Sequence, residues 1–79
     1  MSNLEKYKNA FCESFSINEN DLDGNLEYNS INAWDSVGHM GLIANLEEAF
    51  NISFEIDDVI DFSSYDKGKE ILKKYKIEV

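Results

Sequence analysis

The spacing of apolar residues predicts helices along most of the chain. In the N-terminal stretch, apolar side chains recur every three or four residues, as on the inner face of an amphipathic helix. These residues are Leu4, Tyr7, Phe11 and Phe15, with Cys12 beside them as a packing residue. The periodicity then disappears over residues 16–35, where Asn, Asp, Ser and Gly24 are frequent. We therefore predict a first helix followed by a long loop. Four apolar residues of the loop are expected to anchor it on the core: Ile17, Leu22, Leu26 and Ile31.

The second helix is predicted over residues 36–50 and carries two apolar stripes when its residues are placed 100° apart. The wider stripe, expected to face the core, consists of Leu42, Ile43, Leu46, Ala49 and Phe50. The opposite stripe consists of Val37, Met40 and Ala44, with Gly41 and Glu48 beside it. This second stripe needs a covering partner. Two possibilities remain open: a central helix buried within this chain, or a surface that binds another protein.

Two further helices complete the prediction. A short helix is expected within residues 56–62, and Ser63 and Ser64 are candidate caps for the last helix, with Asp66 at capping-box distance from Ser63. The inner stripe of that last helix consists of Tyr65, Gly68, Ile71, Leu72 and Tyr75. The predicted fold class is all-α: a small bundle of three principal helices and one short helix, with a long loop between the first two principal helices.

Length and composition indicate one small folded domain over residues 1–79. Hydrophobic residues make up 43% of the chain, enough for a core despite a net charge of −9. Cys12 is the one cysteine, so no internal disulfide can form. No apolar run has the length of a signal peptide or a membrane span, so we expect a cytoplasmic protein. We also expect the chain to be a monomer.

The distribution of charge limits the possible partners. No lysine or arginine occurs between Asn9 and Asp66, whereas thirteen of the sixteen carboxylates do. This excess of negative charge argues against nucleic acids and acidic membranes, whose phosphates require Lys and Arg. The acidity favours basic protein partners, although it is also compatible with a role in solubility alone.

The acidic loop around Gly24 partly matches a calcium-binding loop. With Gly24 in the sixth position, however, the first position is Glu19 instead of Asp. The twelfth position is Ser30 instead of the bidentate Glu that such loops use. We therefore predict a solvated acidic loop and no metal site.

Ser36 stands where the second helix begins and has two possible roles. Its hydroxyl could cap the helix by accepting a hydrogen bond from a backbone N–H group, a role that contributes about 0.5–2 kcal/mol. Alternatively, the hydroxyl is exposed for modification by another enzyme. The aspartate before it, Asp35, is itself a candidate cap.

The order of these features resembles acyl carrier proteins and related carrier domains. The resemblance covers nearly the whole chain and centres on Asp35-Ser36-Val37 and the downstream sequence Leu-Glu-Glu-Ala-Phe at residues 46–50. It implies that Ser36 is the attachment site of 4′-phosphopantetheine, which a separate transferase takes from coenzyme A. Asp35 would support this site, as a helix cap or as a carboxylate near the magnesium ion that such transfers use.

The resemblance also implies a function without catalysis by this chain. The thiol of the arm would carry an acyl or aminoacyl group as a thioester, and partner enzymes with basic docking surfaces would load and transfer it. The docking residues implied on the second helix are Val37, Met40, Gly41, Ala44, Glu47 and Glu48. The alternative function is an unmodified acidic helical adaptor that binds a basic protein through the same face.

Two features around Ser36 depart from carriers of general fatty-acid synthesis. Val37 occupies a position where leucine is usual, and Gly38, His39 and Gly41 leave the first turns with little charge. Together with Trp34, they favour a specialised pathway of lipid, surface-polysaccharide or peptide-type biosynthesis. For His39 itself we predict a structural imidazole bonded to the preceding loop rather than a general base, because no third group is evident to orient a Ser-His pair.

Overall fold

The computed structural model describes residues 2–79, and within them the chain forms an all-α bundle with four α-helices. Helix α1 spans Asn3–Phe15, α2 spans Ser36–Phe50, α3 spans Ile56–Asp61 and α4 spans Tyr65–Lys74. The predicted three principal helices and one short helix are confirmed. A single turn of 3₁₀ helix, Glu19–Asp21, lies in the long loop.

Side-chain caps and left-handed residues define the helix ends. Ser2 caps α1, Asp35 caps α2 and Ser64 caps α4, each by accepting a hydrogen bond from a backbone N–H three residues later. Ser16 and Asn51 end α1 and α2 with φ angles of 55° and 54°, the left-handed conformation common after a helix. Of the two candidate caps predicted for α4, Ser64 is the one that the helix uses, so the capping box of Ser63 with Asp66 is wrong.

The core is built mainly from aromatic rings. Tyr7, Phe11 and Phe15 of α1 are buried as predicted, whereas Leu4 at the start of that stripe is partly exposed. The loop contributes Trp34, which is fully buried and stacks on Phe15 with 5.1 Å between ring centroids. The other buried apolar residues are Ala10, Leu26, Leu42, Ile43, Leu46, Phe54, Phe62, Tyr65, Ile71 and Leu72.

The long loop is fixed to the beginning of α4. The backbone N–H of Tyr28 donates to the carbonyl of Ser63 at 2.8 Å, and the N–H of Tyr65 donates to the carbonyl of Leu26 at 2.9 Å. Leu26 is buried, and the other three predicted anchors pack against the core while partly exposed. These contacts place Tyr28 next to the first turn of α2.

Polar contacts attach the short helix α3 to both of its neighbours. Asp58 accepts hydrogen bonds from Lys74 and Tyr75 at the end of α4, at 2.7 Å and 2.6 Å. On the other side, Nε2 of His39 in α2 lies 2.7 Å from the carbonyl oxygen of Val59. The position of α3 is therefore determined by specific bonds as well as by apolar packing.

The carboxylates of the Gly24 loop stabilise turns. Asp21 accepts a hydrogen bond from the backbone N–H of Asn18, and Asp23 accepts one from Asn25. Across residues 2–79, no group of three or more His, Cys, Asp and Glu side chains is arranged to hold a metal ion. None of the helices described is both long and apolar enough to cross a membrane.

Candidate functional site

Ser36 is the first residue of α2, and its side chain is exposed. The structure excludes the capping role for its hydroxyl, because Oδ1 of Asp35 accepts the hydrogen bond from the Gly38 N–H at 2.8 Å. The Ser36 hydroxyl lies 3.5 Å from the Tyr28 hydroxyl, too far for a strong O–H···O hydrogen bond. The Ser36 hydroxyl is therefore exposed and is not needed to cap α2.

The two glycines near Ser36 differ in their surroundings. A Cβ atom on Gly38 would collide with the carbonyl oxygen of Ala33, so the first turn of α2 packs tightly against the preceding turn. A Cβ atom on Gly41 would meet no atom within 4 Å. The absence of a side chain is thus required by the fold at Gly38 and not at Gly41.

A cleft of about 410 Å³ opens beside Ser36. The residues that line it are Tyr28 of the loop, Ser36, His39 and Met40 of α2, Val59 and Ile60 of α3, and the following Phe62 and Ser63. Four of the eight lining side chains are apolar, so the cleft has the character of a site for an apolar group.

His39 makes two hydrogen bonds with its imidazole ring. Nδ1 lies 3.0 Å from Nε1 of Trp34, and Nε2 lies 2.7 Å from the carbonyl oxygen of Val59. An indole N–H can only donate, so Nδ1 accepts and Nε2 carries the proton that is donated to Val59. The predicted structural imidazole bonded to the preceding loop is confirmed. Since both nitrogens are occupied, the ring is not available as a base for Ser36.

The second apolar stripe of α2 faces solvent, so the alternative of a buried central helix is wrong. Val37 is 81% exposed and Met40 is 58% exposed, and Ala44 and Gly41 are exposed as well. Two isoleucines of α3, Ile56 and Ile60, are 77% and 73% exposed. We call Val37, Met40, Ile56 and Ile60 the apolar rim.

Sequence reasoning missed the contribution of α3 to this surface. The signal was available in the four-residue spacing of Ile56 and Ile60, which places both on one face of a helix. Their acidic neighbours Asp57 and Asp61 are exposed, as is Asp35. The apolar rim is therefore accompanied by exposed negative charge on both helices.

The two glutamates predicted to dock partners have different environments. Glu48 is exposed, whereas Glu47 is half-buried and its Oε2 accepts a hydrogen bond of 2.8 Å from the Phe54 N–H. This bond fixes the segment that follows α2. Glu47 thus has a structural role, whereas the carboxylate of Glu48 is exposed to solvent.

Cys12 lies away from this site, on α1 with Glu19 nearby. Burial raises the pKa of its thiol, and the carboxylates of Glu19 and Asp21 act in the same direction. A raised pKa reduces the fraction of reactive thiolate. The side chain is partly buried, and the packing role of Cys12 stays a prediction.

Comparisons of this chain with protein-family models, with curated proteins and with solved structures found no significant match.

Proposed function

We propose that this protein is an acyl carrier that bears 4′-phosphopantetheine on Ser36. The observation that carries the proposal is an exposed hydroxyl on the first residue of α2 that is not used as the helix cap, next to an apolar cleft. Asp35 performs the capping, so modification of Ser36 leaves the helix start intact.

The residues around Ser36 suit a covalently attached phosphodiester. The first turn of a helix carries partial positive charge and backbone N–H groups that favour an anion. The Tyr28 hydroxyl, 3.5 Å from the Ser36 oxygen, is a neutral donor beside the attachment point. In the transfer, the Ser36 hydroxyl loses its proton, its oxygen forms the bond to the phosphorus of phosphopantetheine, and adenosine 3′,5′-bisphosphate leaves.

When attached, the arm supplies a terminal thiol that carries an acyl or aminoacyl group as a thioester. The chain itself contributes attachment and presentation rather than catalysis. Ser36 holds the arm, the cleft between α2 and α3 lies beside it, and the bundle keeps the two helices in place.

The apolar rim is the proposed docking surface for the transferase and for the enzymes that load and unload the carrier. Exposed apolar side chains next to acidic residues complement an enzyme surface with an apolar centre and basic surroundings. The exposed carboxylates of Asp35, Glu48, Asp57 and Asp61 supply this charge. The protein is proposed to act as a monomer in the cytoplasm, in a specialised biosynthetic pathway.

Intact mass spectrometry tests the attachment site. The chain is incubated with coenzyme A and a promiscuous phosphopantetheinyl transferase, and one phosphopantetheine is expected to add. Ser36→Ala is expected to prevent the addition. Ser63→Ala is the matched control, because Ser63 is another exposed serine that lines the same cleft. Addition to Ser36→Ala would refute the site.

The alternative, an unmodified adaptor for a basic protein, is supported by the same exposed rim and acidity. It predicts that several transferases leave the wild-type mass unchanged. The two functions are thus distinguished at a single oxygen atom, that of Ser36.

A further inference from the structure

Two rings in the lining of the cleft connect it with the core, and one of them, Phe62, is buried. His39 and Phe62 line the cleft, with 6.1 Å between their ring centroids. Behind them lies Trp34, whose ring is nearly parallel to the imidazole at an interplanar angle of 14° and is fully buried. An apolar chain that entered the bundle through the cleft would first meet these rings.

We infer that His39 is a specificity-determining residue that keeps the carried group in the surface cleft and out of the core, so that the protein suits short-chain acyl cargo. This inference rests on the proposed attachment of the arm to Ser36. His39 and Val59 line the cleft, and the imidazole is hydrogen-bonded both to the Val59 carbonyl and to the buried indole of Trp34. We call this hydrogen-bonded imidazole the floor of the cleft.

The imidazole of His39 resists displacement because its hydrogen bonds to Trp34 and to the Val59 carbonyl would have to break together. Moving the imidazole aside would leave the Trp34 N–H and the Val59 carbonyl without partners in an apolar environment, which is unfavourable. The space behind is filled as well: Trp34 packs on Phe11 at 5.6 Å and on Phe62 at 6.5 Å between ring centroids. A close-packed interior of this kind has no room for a long alkyl chain.

Helix α3, which also lines the cleft, is held in place by hydrogen bonds as well. Val59 belongs to α3, and the neighbouring Asp58 is bonded to Lys74 and Tyr75. These bonds hold α3 against the end of α4, and the bond from His39 to the Val59 carbonyl holds it against α2. A longer acyl chain would leave the cleft and lie over the apolar rim.

The indole N–H of Trp34 provides a direct probe of the floor. The sequence contains one tryptophan, so a single indole resonance is expected in the ¹H–¹⁵N spectrum. Acetyl, butyryl, octanoyl and dodecanoyl arms are loaded from their coenzyme A thioesters, and intact mass confirms each product. Thermal unfolding and the Trp34 resonance are then measured for every loaded form.

For the wild type, we expect the Trp34 resonance to keep its position across the series and the Tm to rise no further from octanoyl to dodecanoyl. In His39→Ala, the resonance is expected to move upfield because its acceptor is lost, and to shift again with the longer chains. Val59→Ala is the matched control: it trims the cleft wall but keeps the backbone carbonyl that accepts the His39 bond.

A Trp34 resonance that shifts progressively with chain length in the wild type, or a Tm that rises through dodecanoyl, would overturn the inference. This part of the test needs no variant, so it stands even if His39→Ala does not fold. Failure of every arm to attach would instead count against the proposed function, and the mass measurement separates the two results.

Discussion

The hydroxyl of Tyr75, just after α4, donates a hydrogen bond of 2.6 Å to Oδ2 of Asp58 in α3. The other carboxylate oxygen accepts from Lys74 at 2.7 Å, and Asp58 is only 5% exposed. The hydrogen bond from Lys74, followed by that from Tyr75, holds the pKa of the Asp58 carboxyl below its ordinary value of 3.8. Asp58 is thus a buried anion that links the short helix to the bundle.

Asp58→Asn is expected to lower the free energy of unfolding by about 1–3 kcal/mol, because the charge-assisted bonds to Lys74 and Tyr75 are lost. The pKa of Asp58 is lower in the folded than in the unfolded protein. Its contribution is therefore complete above the unfolded value of about 3.8 and is lost as the pH falls through the lower folded pKa. Denaturant unfolding from pH 7 down to pH 3 measures this difference.

Asp57→Asn is the matched control for this experiment, because Asp57 precedes Asp58 directly but is exposed. A change within about 0.5 kcal/mol is expected there. An Asp58→Asn protein as stable as the wild type at pH 7 would show that the buried carboxylate does not hold α3.

The assignment of the α2 cap predicts unequal effects at adjacent residues. Asp35→Ala is expected to lower the free energy of unfolding by about 0.5–2 kcal/mol, since the Gly38 N–H loses its acceptor. Ser36→Ala is expected to change it by less than about 0.5 kcal/mol, because its hydroxyl caps nothing. Thermal or denaturant unfolding of both variants measures the contrast, and a larger loss for Ser36→Ala would reverse the assignment.

The glycines of α2 are expected to respond in opposite directions to alanine. Gly38→Ala is expected to destabilise the domain, because the new methyl group collides with the Ala33 carbonyl oxygen. Gly41→Ala is expected to stabilise it by about 0.5–1 kcal/mol, since the methyl group enters open space and alanine favours a helix. Melting curves measure both.

Gly41 also tests the docking surface, since it lies beside Val37, Met40 and Ala44. Gly41→Leu is expected to slow modification of Ser36 by a transferase through steric hindrance, and Gly41→Ala to slow it less. If Gly41→Leu were modified at the wild-type rate, this side of α2 would not contact the transferase.

Charge reversal at Glu48 is expected to slow association with a transferase severalfold at low salt, because the exposed carboxylate attracts a basic surface. The effect is expected to shrink as salt rises.

Glu47 is less suitable for reversal because its side chain also accepts the hydrogen bond from the Phe54 N–H. Glu78→Lys is the control, since Glu78 lies with Lys73 and Lys76 near the end of the chain. Equal association rates for the two variants at low salt would contradict a docking role for Glu48.

Much of the fold could be predicted because its signals are local. The spacing of the apolar residues in the range 36–50 predicted a helix, and α2 spans Ser36–Phe50. The stripes of α1 and α4 were likewise predicted from spacing, although Leu4 is more exposed than expected. The cap of α2 could not be assigned from the sequence, because Asp35 and Ser36 are both good capping residues and only the backbone geometry distinguishes them.

The sequence by itself determined the helical periodicity, the acidic character of residues 9–66 and the presence of Ser36 at a helix start. Only the tertiary structure decided which of these residues meet. The His39 side chain hydrogen-bonds to Val59, which lies 20 residues later in the sequence, and Asp58 hydrogen-bonds to Tyr75, which lies 17 residues later. Helix formation depends on neighbours within one or two turns, whereas such pairs depend on how the helices pack. For that reason the cleft beside Ser36 and the contacts of His39 and Asp58 became evident only in the assembled bundle.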